Sequence, residues 1–240
     1  MRQFLTTTIL FTTLISFGQS YEGTLTYVAD FKVSEKLVKM GITKQTLLDK
    51  MKSEGSWSDT IRTSYNKHGD YYTLRNTSPK SWSIYKTGNN KIYAMQDGEA
   101  SDICAVTDAV DLEFTITGKT PTAEKLDSIV IIDGVSCSLV RITWKSGTYD
   151  YYYNQTKFTV DGSLFAKHTY DGWAGFLKIA NALPIRIVKT TKGMMSLTMT
   201  LISSKTDVVD EKLFSIPKLV HDKDLNIIKV PNTEMMRIKK

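Results

Sequence analysis

Two groupings of residues in this chain carry the types that chemistry needs. Ser163, His168 and Asp171 bring a hydroxyl, an imidazole and a carboxylate into one short stretch. That is the membership of a nucleophilic relay, but such relays draw their members from distant elements, and here one loop would have to place all three. His221, Asp222 and Asp224 could touch a metal, yet near the C-terminus they read as solvated charges. The three histidines of the chain form no H-E-x-x-H motif, and neither G-x-S-x-G, nor a P-loop, nor C-x-x-C is present. The expectation is a protein that is not an enzyme, with no catalytic residue, no metal and no cofactor.

Cys104 and Cys137 are the only thiols. In an oxidising compartment an even count favours a disulfide between them, the alternative being two buried free thiols. Two triplets, Asp59-Thr60-Ile61 and Asp127-Ser128-Ile129, also match a short acceptor pattern for O-glycosylation.

The compartment follows from the N-terminus. Residues 1–18 carry one charge, Arg2, followed by an apolar and threonine-rich run from Phe4 to Phe17 and small residues spaced as a signal peptidase reads them. That run is shorter than the ~20 residues that cross a bilayer. The expectation is a signal peptide over 1–18, a mature protein beginning near Gln19 in the periplasm or outside the cell, and no integral membrane segment. About 222 residues remain, the size of one domain. The formal net charge is +6 for the whole chain. Lys and Arg are scattered among acids, except for Arg237, Lys239 and Lys240, which argues for a solvated surface and no nucleic-acid partner.

Architecture is read best from Leu183 to Pro217. Met195, Leu197, Met199 and Leu201 alternate with Ser196, Thr198 and Thr200, the period of a strand with one buried face. A partner strand runs through Leu183, Ile185 and Ile187. A three-residue loop of Thr191, Lys192 and Gly193 would set Ile187 opposite Leu197 and Ile185 opposite Met199, keeping every apolar side chain on one face. Upstream, Tyr21–Phe31 reads as a first strand. Ser34 and Thr43 are N-caps for helical segments over 35–40 and 44–53, and the stripe Leu47, Leu48, Met51 should pack on the concave side of a sheet. Short strands follow at 58–66, 70–75, 81–87 and 91–96, then 112–117. A hairpin over 126–144 turns at Asp133-Gly134 and sets Val130 opposite Cys137. A strand at 149–154 and an edge strand at 212–216 complete the set, and Ser163–Asn181 reads as a loop with a helical turn. The fold class expected is mainly β with some α: a curved antiparallel meander, a half-barrel around a short helical segment.

The order strand, helix, long meander resembles the LolA-like superfamily and its secreted relatives common in Bacteroidota. The resemblance is carried by LPIRI before the penultimate hairpin, with Leu183-Pro184, and by LFSIP near the end, with Leu213-Phe214 and Pro217. It implies a single domain over 19–217 with a basic tail over 218–240. It also implies an envelope protein whose concave face takes a lipid or the acyl chain of a lipoprotein. The cavity arginine of the lipoprotein carriers has no assigned counterpart among Arg62, Arg75, Arg141 and Arg186. Large inward side chains expected to line such a cavity are Leu74, Trp82, Tyr93, Phe114, Ile187, Leu197 and Met199. In a structural or protein-interaction module of the envelope the same residues would form an ordinary packed core.

Overall fold

The computed structural model describes residues 20–226 and 229–239, so the expected signal segment lies outside the described residues. Among the described residues, thirteen antiparallel strands form one open sheet. In chain order they are β1 (Gly23–Val33), β2 (Thr60–Tyr65), β3 (Tyr71–Arg75), β4 (Ser81–Lys86), β5 (Lys91–Gln96) and β6 (Ile103–Asp108), then β7 (Thr122–Ile132), β8 (Val135–Thr143), β9 (Gly147–Tyr153), β10 (Pro184–Thr191), β11 (Met195–Thr206), β12 (Leu219–His221) and β13 (Thr233–Ile238). The helices are α1 (Glu35–Lys39), α2 (Lys44–Ser53), α3 (Leu112–Thr117) and α4 (Trp173–Ala180). Across the sheet the order runs β12-β13-β6-β5-β4-β3-β2-β1-β11-β10-β9-β8-β7, two meanders joined through the β1–β11 pair. No helix among the described residues is long and apolar enough to cross a membrane.

The sheet curves. Tyr71 on β3 and Tyr151 on β9 lie five strand positions apart, roughly 24 Å along a flat sheet. Yet Tyr71 sits 5.8 Å from the His168 ring, Tyr151 sits 5.8 Å from Trp173, and those two partners are 6.4 Å from one another. The stretch from Gly162 to Ala180 therefore fills the concave face. Phe165, Phe176 and Leu177 from it are fully buried, with Tyr151 stacked on Phe176 at 4.5 Å. This is a mainly β, half-barrel-like fold around a short helix.

The helix that fills it is α4, and not the α2 segment expected there. Ser34 and Thr43 do cap α1 and α2, but no residue of α2 is buried. The physical reason is the width of its stripe: Leu47, Leu48 and Met51 cover one side of a helix that is otherwise polar or charged, whereas α4 is apolar nearly all round and buries Trp173, Phe176, Leu177 and Ala180.

Three further local expectations are corrected. Leu112–Thr117 is α3 rather than a strand, because Asp111 accepts from the Phe114 N–H at 2.7 Å as an N-cap and Gly118 closes the helix at φ 69. The 212–216 segment is a turn of 3-10 helix over Glu211–Phe214, capped by Asp210. The residues expected as a basic tail carry β12 and β13, and β13 pairs with β6 inside the same sheet. The 207–216 segment and these strands bury a second cluster on the outer face, where Phe214 and Val209 pack with Ile84, Tyr93 and Cys104.

The β7–β8 hairpin has the expected register, Val130 to Cys137 and Ile132 to Val135, with Asp133 and Gly134 both at positive φ. The β10–β11 hairpin is shifted by two residues: Ile187 pairs with Met199, and Lys189 with Leu197. A shift of two preserves the buried face, so the alternation is satisfied by either register and the turn decides. The turn is Lys192-Gly193-Met194, closed by Met194 N–H donating to Thr191 C=O at 3.1 Å, with Gly193 at φ 68. Gly193→Val should therefore lower stability by about 1 kcal/mol or more, since a β-branched residue resists that conformation although its Cβ meets no neighbour. An unchanged melting temperature would contradict this.

Cys104 on β6 and Cys137 on β8 are free and buried, with eight strands between theirs in the sheet order. They belong to separate apolar clusters, so the expected disulfide cannot close. Burial pushes the Cys104 thiol up to about 11 and also raises Cys137. Denatured, unreduced protein should react with two equivalents of a thiol reagent and native protein with none. A native protein that reacts at once would place a thiol at the surface.

Candidate functional site

The concave face is not uniformly filled, and pairing between strands explains why. Tyr65, Tyr71, Tyr85 and Ile92 are successive cross-strand partners over β2 to β5 and form a row of large side chains. Two residues along each strand, Thr63, Thr73, Ser83 and Ala94 are also successive partners, a row of small ones. Because the period of two puts both rows on the same face, the small row is a trough beside a tyrosine ridge. Thr63 and Thr73 satisfy each other with a 3.2 Å hydroxyl contact, so the trough floor can be buried without unpaired polar groups there. The result is a cavity of about 450 Å³, closed opposite by Ile187 of β10 and by Leu197 and Met199 of β11. That volume lies within the ~300–1,000 Å³ of small-molecule sites.

One wall is polar and comes from the segment before α4. His168 is 2% exposed and its Nε2 lies 2.8 Å from the Tyr71 hydroxyl. Burial pushes this imidazole down to about 4, with the nearby Asp171 charge opposing only in part. The ring is then neutral, and its Nδ1 is buried with no hydrogen-bond partner among the described residues. Asp171 takes φ 57, its carboxylate pairs with Lys189 of β10, and its carbonyl accepts from the Tyr151 hydroxyl at 2.7 Å. Lys189 also lies 4.9 Å from the Tyr149 ring centre. The Asp171 charge, with burial second, pushes the Tyr170 hydroxyl up to about 12. Burial raises Tyr71 and Tyr151 well above the usual phenol value, so both stay protonated donors. Arg75 lines the mouth and makes no ion pair among the described residues.

Ser163, His168 and Asp171 are not assembled as a relay. Ser163 is exposed, His168 faces Tyr71 and Asp171 faces Lys189. His221 instead contacts Glu234 at 2.6 Å and Asp222 contacts Arg237 at 2.8 Å.

Of the side chains expected to line a cavity, Ile187, Leu197 and Met199 do so. Leu74 and Trp82 are cross-strand partners on the opposite face, and Tyr93 is buried in the outer cluster. Phe114 is 45% exposed on α3. Size and hydrophobicity select the wrong face on β3 to β5 because both faces there are covered, the outer one by the 207–216 segment and the C-terminal strands. The residues missed were the small row and the His168–Trp173 wall. The signal for the first is in the sequence: hydroxyl or methyl side chains recur at equivalent positions of four consecutive strands.

No protein family matches the chain, and no curated protein does. Among solved structures, that of PNGF-II is similar at a TM-score of 0.41 and 12% identity, over 80% of this chain. The chain spans 29% of the length of that protein.

Proposed function

We propose that this is an exported, non-enzymatic envelope protein that holds an apolar ligand, a lipid or the acyl chain of a lipoprotein, in the concave face of its half-barrel. The observation that carries the reading is the small-residue trough from Thr63 to Ala94, which leaves about 450 Å³ unfilled where a structural module would be packed. The walls are apolar where Ile187, Leu197 and Met199 face the trough, and Met199 adds an adaptable thioether. The resemblance to LolA-like proteins supports the same ligand class, and the N-terminal pattern supports export.

Titration with a fluorescent polyene fatty-acyl probe tests it. Binding at micromolar concentration is expected, and saturation at 100 times Kd should add about 2.7 kcal/mol of apparent stability. Mass spectrometry of protein purified from its native envelope should show co-purifying lipid. Absence of both would make the half-barrel a structural or protein-interaction module.

A further inference from the structure

We infer that the ligand of the half-barrel is an amphiphile with an ammonium head, the head held in a second cavity of the concave face while the acyl chain lies in the first. This rests on the ligand-binding reading above and narrows it. The second cavity measures about 360 Å³ and is lined by Trp144, Tyr149 and Tyr170 and by the acids Asp111, Glu113 and Asp171. It adjoins the first, since Tyr170 and Asp171 line both. On β9, Tyr151 borders the first cavity and Tyr149 the second, two residues and so roughly 7 Å apart on one face. A single acyl-chain molecule spans that interval.

The charge of the head follows from the wall. Among the described residues no Lys or Arg lines the second cavity. Asp171 pairs with Lys189, but Asp111 and Glu113 are held by uncharged donors: Asp111 accepts from the Phe114 N–H and the Trp144 indole, and Glu113 from the Lys145 and Ser146 N–H groups. Asp111 is only 4% exposed, and a charge so buried ordinarily has a counter-charge. Its field reaches the cavity without contact, because protein screens charge weakly over a few ångströms. Burial and, behind it, negative charges that include Asp171 and Asp111 raise the Tyr149 hydroxyl. Aromatic faces attract a cation too, and the Lys189 ammonium already lies 4.9 Å from the Tyr149 ring centre. An anionic or uncharged head would leave the Asp111 charge uncompensated.

Four probes decide this on the folded full chain: dodecyltrimethylammonium, dodecanol, dodecanoate and tetramethylammonium alone, all below micelle-forming concentrations. Dodecyltrimethylammonium should bind roughly five- to thirtyfold more tightly than dodecanol, the worth of a cation on desolvated aromatic faces. Tetramethylammonium alone should shift the Trp144 indole N–H resonance. Glu113→Gln, which alters the second cavity and not the first, should reduce the ammonium preference severalfold while dodecanol binds as before. Glu99→Gln removes an exposed carboxylate outside both cavities, makes the same change in net charge, and should leave every probe unaffected. The two wild-type measurements hold whether or not Glu113→Gln folds. Equal binding of ammonium and alcohol overturns the inference, as does an equal effect of the two substitutions or a Trp144 resonance that no ammonium probe moves. Tightest binding of dodecanoate does so too, placing an anion at Arg75. In each of those cases acyl binding itself stands. If none of the three dodecyl probes binds, the ligand-binding reading fails and this one with it.

Discussion

Ser83→Leu is expected to weaken binding of an acyl probe tenfold or more while leaving the melting temperature unchanged or slightly raised. Ser83 is 7% exposed and lies in the middle of the small row, between Thr73 and Ala94 on the neighbouring strands. An isobutyl group there would project into the trough, the volume an acyl chain would occupy. In a packed core the same substitution would force its neighbours apart and cost about 1–3 kcal/mol. In an unfilled trough the added methyl groups instead bury apolar surface, favourable by roughly 25 cal/mol per Å². Binding and stability thus respond in opposite directions if the cavity is a ligand site, and together if it is not. Probe titration and thermal denaturation of the same sample read both. A folded variant with wild-type affinity would move the ligand elsewhere, and a large fall in melting temperature would mean the trough is filled.

How legible this was depends on what each part of the chain encodes locally. Strands whose alternation is flanked by turn residues were read nearly to their ends: β3, β4 and β5 and the Asp133-Gly134 hairpin needed no tertiary information. Leu112–Thr117 was misread because LEFTIT has strand-like composition, and the Asp111 cap and Gly118 stop outweigh it. β13 could not be read because its pairing with β6 joins residues more than a hundred positions apart. The site was half legible. On β10 and β11 the alternation exposes Ile187, Leu197 and Met199 as inward. On β3 to β5 both faces are apolar, so alternation cannot say which one curves inward, and a cavity is made by small residues rather than by the large ones that attract attention. The polar wall depends on the left-handed backbone at Asp171 and Gly172, where a Cβ on Gly172 would come within 2.6 Å of Ile142. That geometry turns the chain into α4, and it exists only once β8 is in place.

Lowering the pH from 7 to about 4.5 should cost the fold roughly 2 to 3 kcal/mol through His168 alone. Burial is the main cause, the ring lying against Tyr71, Tyr85 and Trp173, with Tyr85 only 4.4 Å away. In the unfolded chain this imidazole takes up a proton near its ordinary value of 6.5, and in the folded chain only near 4. Between those values the unfolded state binds more protons, so stability falls as pH falls and levels off below the folded value. The Asp171 carboxylate and the carbonyls of His168 and Tyr170 favour the protonated ring but do not offset its desolvation. Other carboxylates titrate in the same range, so the measurement is a difference. His168→Gln keeps a side chain that can reach the Tyr71 hydroxyl but has no titration, and urea unfolding of both proteins at the two pH values isolates the imidazole. The variant should lose roughly 2 to 3 kcal/mol less than the wild type over this interval. Parallel losses would mean that water reaches His168, and with it the wall of the cavity that the ring supports.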